Sequence, residues 1–513
     1  LVDAGRPWEA AAAGRMLPSL ARLRWEGFEV SVAAVRGVDL DERDEDEDED
    51  EDERPFLGGH AVKTALLSCI EGEGEPPLEL LLAAVACAGY GEIRGIPVQM
   101  MRDDSVSELD LQAIHIGVEG GMLLAYLVPA IGGLTALDLS FNDLKDEGVS
   151  AVCKAIQNNK ETKLASLDFS YNFIGPVGAN AVVAMVAVTG GLIKISLAKN
   201  MLGEEGTKAI CEALEQNKTL KELDISGDID GESNIGGTAG VKHVAKMLGV
   251  NGGLTSIDLS RNQLCGLDAY GQGTYTAEGI IVIADALRVN GALTSVDVGW
   301  NDITGNVAQE LATVVLSKPT LEIFCNIPIK KLRADSLSEL DLSGKGVGVT
   351  GALVLANLLP VTGALTTLDL SFNDLKYEGI SAVCKAIKSN KETKLASLNV
   401  SGNFIGPVGA NAVVAMVAVT GGLTSIDLSR NQLCGIWTDN KGDPHGTYTT
   451  EGITAIITAI DDALHVNGGL TSLNLSDNQL CGLDRYGLGT YTADGITAIA
   501  DALRVNGALT KIE

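Results

Sequence analysis

Side chains able to do acid–base, nucleophilic or metal chemistry are present, but they are not grouped as such chemistry requires. Five histidines, His60, His115, His243, His445 and His465, stand singly along 513 residues. Nine cysteines include no Cys-x-x-Cys pair, and no His-Glu-x-x-His or Gly-x-Ser-x-Gly motif occurs. The segment Gly59-His60-Ala61-Val62-Lys63-Thr64 lacks the second glycine before Lys63, so it is not a phosphate-cradling loop. Asp439-x-Lys441-x-Asp443 spaces two carboxylates like a calcium loop. Its sixth position is Pro444, and its twelfth carries no glutamate. The sequence thus predicts no catalytic residue, no cofactor and no metal, and it reads as a binding protein rather than an enzyme.

Recognition chemistry, by contrast, recurs at fixed intervals. Aspartates stand at Asp138, Asp168, Asp224, Asp258, Asp297, Asp341, Asp369 and Asp427, with Asn399 and Asn474 in the same place. Ser or Gly usually follows two residues later. Either this is the default wording of a repeat, or it is an acidic stripe that attracts a basic partner. Just before a second recurring residue, an Asn, the type varies: Phe141, Tyr171, Lys199, Arg261, Trp300, Phe372 and Arg430. Aromatics and arginine dominate interface hot spots, and aromatics make up only 4% of this chain. These side chains form either a binding rim or packing along a sheet edge. A third group lies in long insertions: Tyr270, Tyr275, Trp437, Tyr448, Tyr486 and Tyr491. Same-edge insertions in a repeat array serve as binding loops or arise as neutral growth.

The element that must position these residues is a repeat, L-x-x-L-x-L-x-x-N. It appears as Leu134-Leu137-Leu139-Asn142, Leu164-Leu167-Phe169-Asn172 and Leu192-Ile195-Leu197-Asn200. Further copies start at Leu220, Leu254, Leu293, Leu337, Leu365, Leu395, Leu423, Leu470 and Leu509, with irregular ones at Val106 and Leu321. Steps of 30 and 28 residues leave room for a full helix after each strand. Val149, Val152, Ala155 and Ile156 mark the buried face of such a helix. The expected architecture is α/β: a solenoid, or horseshoe, with a parallel sheet on the concave face and helices on the convex face. Each recurring Asn is expected to bond backbone groups at the strand-to-loop turn.

A second period lies above the first. Phe141-Asn142-Asp143-Leu144-Lys145 returns as Phe372-Asn373-Asp374-Leu375-Lys376, and residues 172–192 return at 403–423, both at an offset of 231. This divides the repeats into a first block, 106–326, and a duplicated block, 327–513. At 321–337 a repeat shrinks to 16 residues, too few for strand plus helix, so a helix-less repeat or a kink is expected there. Ahead of the repeats, residues 1–40 read as a helical segment, especially 8–35. Residues 41–54 read as an acidic disordered linker, and 55–105 as a helical cap.

Composition narrows the partners. Residues 41–53 hold twelve acids and one arginine, so about −19 of the net −30 belongs to the rest. That disfavours nucleic acid, which needs clustered Lys and Arg, and favours a protein partner of basic character. No apolar run approaches the length of a membrane span. Cys153 with Cys384, and Cys265 with Cys434 and Cys481, recur at repeat-equivalent places. They read as small buried hydrophobes in a reducing, cytoplasmic compartment.

The repeat resembles that of ribonuclease inhibitor, of the Ran GTPase-activating protein and of the sensor arrays of NOD-like receptors. The resemblance spans about residues 105–513 and implies the horseshoe fold. It implies less about function, because those relatives differ in what they do. A protein-binding scaffold or adaptor is the reading the residues favour. The alternatives are a regulator of an enzyme, such as a GTPase-activating protein, or the sensor array of a NOD-like receptor whose nucleotide switch is missing from these residues.

Overall fold

The computed structural model describes residues 2–3, 22–25, 28–38, 60–72, 77–88, 91–228, 233–268, 271–438, 444–456, 469–483, 487–503 and 509–513. The expected acidic linker at 41–54, and Tyr270, Tyr486, Asp439 and Asp443, lie outside them. The chain divides into two compact units, residues 1–257 and 258–513. The boundary between duplicated blocks, at 326/327, therefore falls inside the second unit.

Fourteen short strands follow the fourteen repeat starts, each beginning two residues after its template position, from Glu108–Asp110 to Lys511–Ile512. In the first unit Leu109, Leu137, Leu167, Ile195 and Leu223 are successive Cα partners in a parallel ladder. All five are buried. In the second unit Ser295–Asp297 pairs with Ile323–Phe324. A separate six-stranded parallel sheet begins at Glu339–Asp341. Helices pack side by side along the array, among them Lys145–Asn158 against Pro176–Val186 and Lys376–Ser389 against Gly406–Val417. Lys145–Asn158 buries Val149, Val152, Ala155 and Ile156, as its 3.6-residue period demands.

Helix entry works differently from an ordinary capped helix. None of the helices that follow a ladder Asn closely has a side-chain cap of its own. The next repeat supplies the acceptor. The Asn172 side-chain oxygen receives the Asn142 and Leu144 N–H groups at 3.3 and 3.2 Å, and its backbone oxygen receives the Lys145 N–H at 2.9 Å. The Asn172 amide in turn donates to Leu139, Phe169 and Ser170 carbonyls. Asn200, Asn301, Asn403 and Asn478 do the same in their repeats, and the Asn431 side chain accepts the Asn403 N–H. In the fifth repeat the template places Asp228 at this position, but Asn234 fills it, bonding Leu197, Ile225 and Ser226 carbonyls.

The N-terminal region departs from expectation. Residues 8–35 read as helical, yet Arg22–Trp25 and Phe28–Ser31 form an antiparallel pair, with Trp25 opposite Phe28. Only Val32–Val35 is helical within that stretch of described residues. The segment Arg22-Leu23-Arg24-Trp25 alternates charge with apolar side chains at a strand's period of two, which outweighs the alanines before it. The helix Leu78–Ala88 is buried from Leu80 onward and packs on Gly117–Leu127, the first repeat helix.

At 321–337 there is neither a full helix nor a bare turn. Phe324 and Ile327 bridge through Cys325 and Asn326, both at positive φ. A five-residue helix, Ile329–Arg333, follows, and the sheet stops. The same module precedes the first block: Ile93 bridges Ile96, and Val98–Arg102 follows. Both lie at the 231-residue offset, so this module was duplicated with the repeats.

Replacing Asn200 with alanine removes the acceptor for two buried N–H groups and a donor to three carbonyls. A loss of about 2–4 kcal/mol is expected, read as a lower urea midpoint. Alanine at the exposed helical Asn180 is the control and should shift stability by less than about 0.5 kcal/mol.

Candidate surface of strand ends, rim and hairpins

The aspartate column sits at the strand ends, and each carboxylate first serves its own turn. Asp138 accepts the Ser140 N–H at 2.9 Å and its hydroxyl at 2.7 Å. Asp168, Asp224, Asp258, Asp297, Asp341, Asp369 and Asp427 accept the N–H two residues on in the same way. This Asx turn explains the recurring Asp-x-Ser. It engages one oxygen and leaves the other.

What the second oxygen meets differs between the units. In the second, the amides of Asn399 and Asn474 donate to Asp369 and Asp427 at 2.9 and 3.0 Å, and Asn326 donates to Asp297 at 2.7 Å. In the first, Asp110, Asp138 and Asp168 are successive Cα partners, with Asp224 one strand beyond Ser196. Adjacent strands run about 4.8 Å apart. Among the described residues no Lys or Arg forms an ion pair with Asp138, Asp168 or Asp224. Burial raises the Asp168 carboxyl above the ordinary range, Ser170 opposes this, and the Asp138 and Asp224 charges add to the rise.

The rim residues share one backbone conformation. Phe141, Tyr171, Lys199, Arg261, Trp300, Phe372 and Arg430 have φ between 53° and 58°, the left-handed region. Glycine is the unstrained choice there and is used at Gly344 and Gly402. A non-glycine residue costs about 1–2 kcal/mol. Neighbouring rim side chains stack across repeats. Phe141 and Tyr171 rings lie 3.9 Å apart at 21°, and the Lys199 ammonium sits 4.5 Å from the Tyr171 centroid. The Tyr171 hydroxyl donates to Asp228 at 2.9 Å. In the second unit Arg261 lies 4.7 Å over Trp300, and Arg430 5.9 Å over Phe372 while bonding Asp477. Phe141 and Phe372 remain 39% and 45% exposed, so the stack has an open face.

Each insertion, all in the second unit, holds an antiparallel pairing. Leu267 bridges Gly273, Leu483 bridges Gly489, and Ile436–Thr438 pairs with Pro444–Gly446. Trp437 stacks on His445 at 4.5 Å. The Tyr275 and Tyr448 hydroxyls donate to Thr304 and Leu480 carbonyls in the following repeat, which anchors their hairpins. Trp437 and Tyr491 are 40% and 67% exposed. Sequence reasoning missed two features. One is a second Asn column at helix ends, where the Asn159 and Asn390 amides donate to carbonyls at the helix end of the preceding repeat. The other is Lys376, which reaches Asp302 at 3.0 Å and Asp374 at 3.4 Å.

Parallel strands, helices between most of them and an asparagine ladder define the fold. The chain carries leucine-rich repeats. Its repeats match the Leucine Rich repeat family at residues 134–153 and 365–384. It is 22% identical over 350 residues to mouse ribonuclease inhibitor, covering 64% of this chain and 72% of that protein. It is 26% identical over 333 residues to bovine NACHT, LRR and PYD domains-containing protein 5, covering 58% of this chain and 29% of that one. With RAN GTPase-activating protein 2 of Arabidopsis thaliana it shares 30% over 127 residues, covering 25% and 23%. The chain thus spans only 29% and 23% of these last two relatives. The crystal structure of the yeast Rad7 and Elc1 complex superposes with a TM-score of 0.38 at 15% identity, covering 76% and 82%. Among the described residues no helix is long and apolar enough to cross a membrane, and no cluster of His, Cys, Asp or Glu is placed to hold a metal ion.

All nine cysteines are free thiols, and eight are buried, six of them in the repeats. Burial pushes Cys87 up to about 11, and Cys211, Cys265, Cys384 and Cys434 up to about 12. A raised thiol pKa leaves almost no thiolate to react at neutral pH. Iodoacetamide at pH 8 should therefore label Cys481, which is partly exposed, well before the other eight. Mass spectrometry of the native protein checks this, and early labelling of Cys153 or Cys384 would contradict the packing.

Proposed function

We propose that this leucine-rich-repeat protein is a protein-binding scaffold, not an enzyme, and that its contact surface is centred on the strand ends and rim of the first unit. The observation that carries this is the run Asp138 and Asp168, in register and without a cationic partner among the described residues, beside the Phe141–Tyr171–Lys199 stack. The stack is held at positive φ, where glycine would be unstrained. The backbone cost is accepted for side chains whose outer faces are open. A basic protein segment matches this surface, with Lys or Arg on the carboxylates and apolar or guanidinium groups on the rings. The second unit carries its own aromatic and arginine side chains, Trp300, Phe372, Arg430, Trp437 and Tyr491, and asparagine amides already engage the acidic column there. The free, buried thiols suit a reducing compartment.

The test is fluorescence anisotropy of a labelled Lys/Arg-rich 15-residue peptide with the full chain. Changing Asp138 and Asp168 together to Asn should weaken binding roughly tenfold and flatten its salt dependence. Asp369→Asn, in the amide-shielded column, should change it less than about twofold. Phe141→Ala with Tyr171→Ala should also weaken binding, roughly tenfold. Equal affinity for all four proteins would remove this surface from consideration.

A further inference from the structure

The asparagine ladder is interrupted once inside the second unit. In a regular repeat the residue at the rim, the ladder Asn and the residue two beyond it give their N–H groups to the next repeat. Phe372 donates to Ser401, and Asn373 and Leu375 donate to the Asn403 side chain. After Trp300 the next repeat is the 16-residue one, and the place of its ladder Asn falls on Ile329. Among the described residues no acceptor bonds the N–H groups of Trp300, Asn301 or Ile303. Asn301 and Ile303 are nonetheless buried, at 3% and 7% exposed.

A small cleft opens at this point, lined by Trp300, Asn301, Asp302, Cys325, Thr350 and Asp374 among others. Thr350 is 3% exposed, and its hydroxyl has no hydrogen-bond partner. Unpaired N–H donors disfavour a cation. Asp302 and Asp374, which share the single cation Lys376, disfavour an anion. A neutral group with both an acceptor and a donor fits both constraints. The carboxamide is such a group, and it is what the ladder uses everywhere else: its oxygen takes two N–H groups and its amide nitrogen donates to carbonyls.

We propose that the cleft at the interrupted ladder binds the carboxamide of an asparagine or glutamine side chain carried by a partner polypeptide. The carboxamide oxygen accepts the Asn301 and Ile303 N–H groups. Its nitrogen donates to the acidic wall, and the Thr350 hydroxyl supplies one further bond. This rests on the protein-binding reading above but uses other residues, so the two fail separately.

The ¹⁵N-labelled full chain is titrated with acetamide, acetate and methylammonium while the amides of Asn301 and Ile303 are followed by NMR. Acetamide is expected to shift both amides saturably, and acetate and methylammonium to leave them in place. Thr350→Val should weaken acetamide binding by roughly three- to tenfold. Thr207→Val, at a second buried hydroxyl without a partner that lies outside the cleft, should not. Both variants should melt no lower than the parent, because each removes a polar group that bonds nothing. Non-saturating shifts, a preference for acetate or methylammonium, or equal binding by Thr350→Val would overturn the proposal.

Discussion

The array depends on one group, the side-chain amide of the ladder asparagine. The turn after each strand uses left-handed residues, such as Phe141 and Asp143, so its N–H groups point to neither strand nor helix of their own repeat. Buried N–H groups without acceptors would make such a turn untenable. One amide from the next repeat accepts two of them and donates to the carbonyls beneath. Stacking is therefore not only burial of leucine faces. Each repeat completes the polar bonding of the one before it, and helix entry needs no local cap.

That constraint also explains where variation is allowed. Residues 172–192 and 403–423 are near-copies, with the same core and ladder. Just before them, however, Asp168 corresponds to Asn399, Phe169 to Val400, and Tyr171 to Gly402 at the 231-residue offset. The buried pair Phe169 and Val400 stays apolar, while the strand-end and rim pairs change chemistry. In the second unit Gly402 lies under the Phe372 ring, where a Cβ would approach the ring carbon to 2.7 Å. In the first, Tyr171 at the same position stacks on Phe141. The two blocks keep one scaffold and present two different surfaces, as expected if recognition is carried by positions the ladder leaves free.

Much of this was legible in the sequence because the pattern has a single physical cause. The leucines, the ladder Asn and the helical face all follow from burial at periods of two and 3.6, so strand positions could be counted directly. Three things were not legible. Asn234 occupies the ladder six residues beyond the template position, since only spatial stacking reveals which Asn reaches Leu197. The strand pair at Arg22–Trp25 and Phe28–Ser31 is short and preceded by alanines, so local propensity misleads there. The sequence left the acidic column open between default repeat wording and an acidic stripe; each aspartate first closes its own turn, and only the partners of the second oxygen separate the units.

Hydrogen exchange resolved to single amides tests the ladder account most directly. The account predicts that the Asn172 and Ile174 amides, held by the Asn200 side chain, exchange with the slow core, as do Asn403 and its counterparts. Asn301 and Ile303, buried but facing the interruption, should exchange at least about tenfold faster. Equal protection at the two sets would show that apolar stacking alone holds the turns, and would contradict a ladder that governs both fold and cleft.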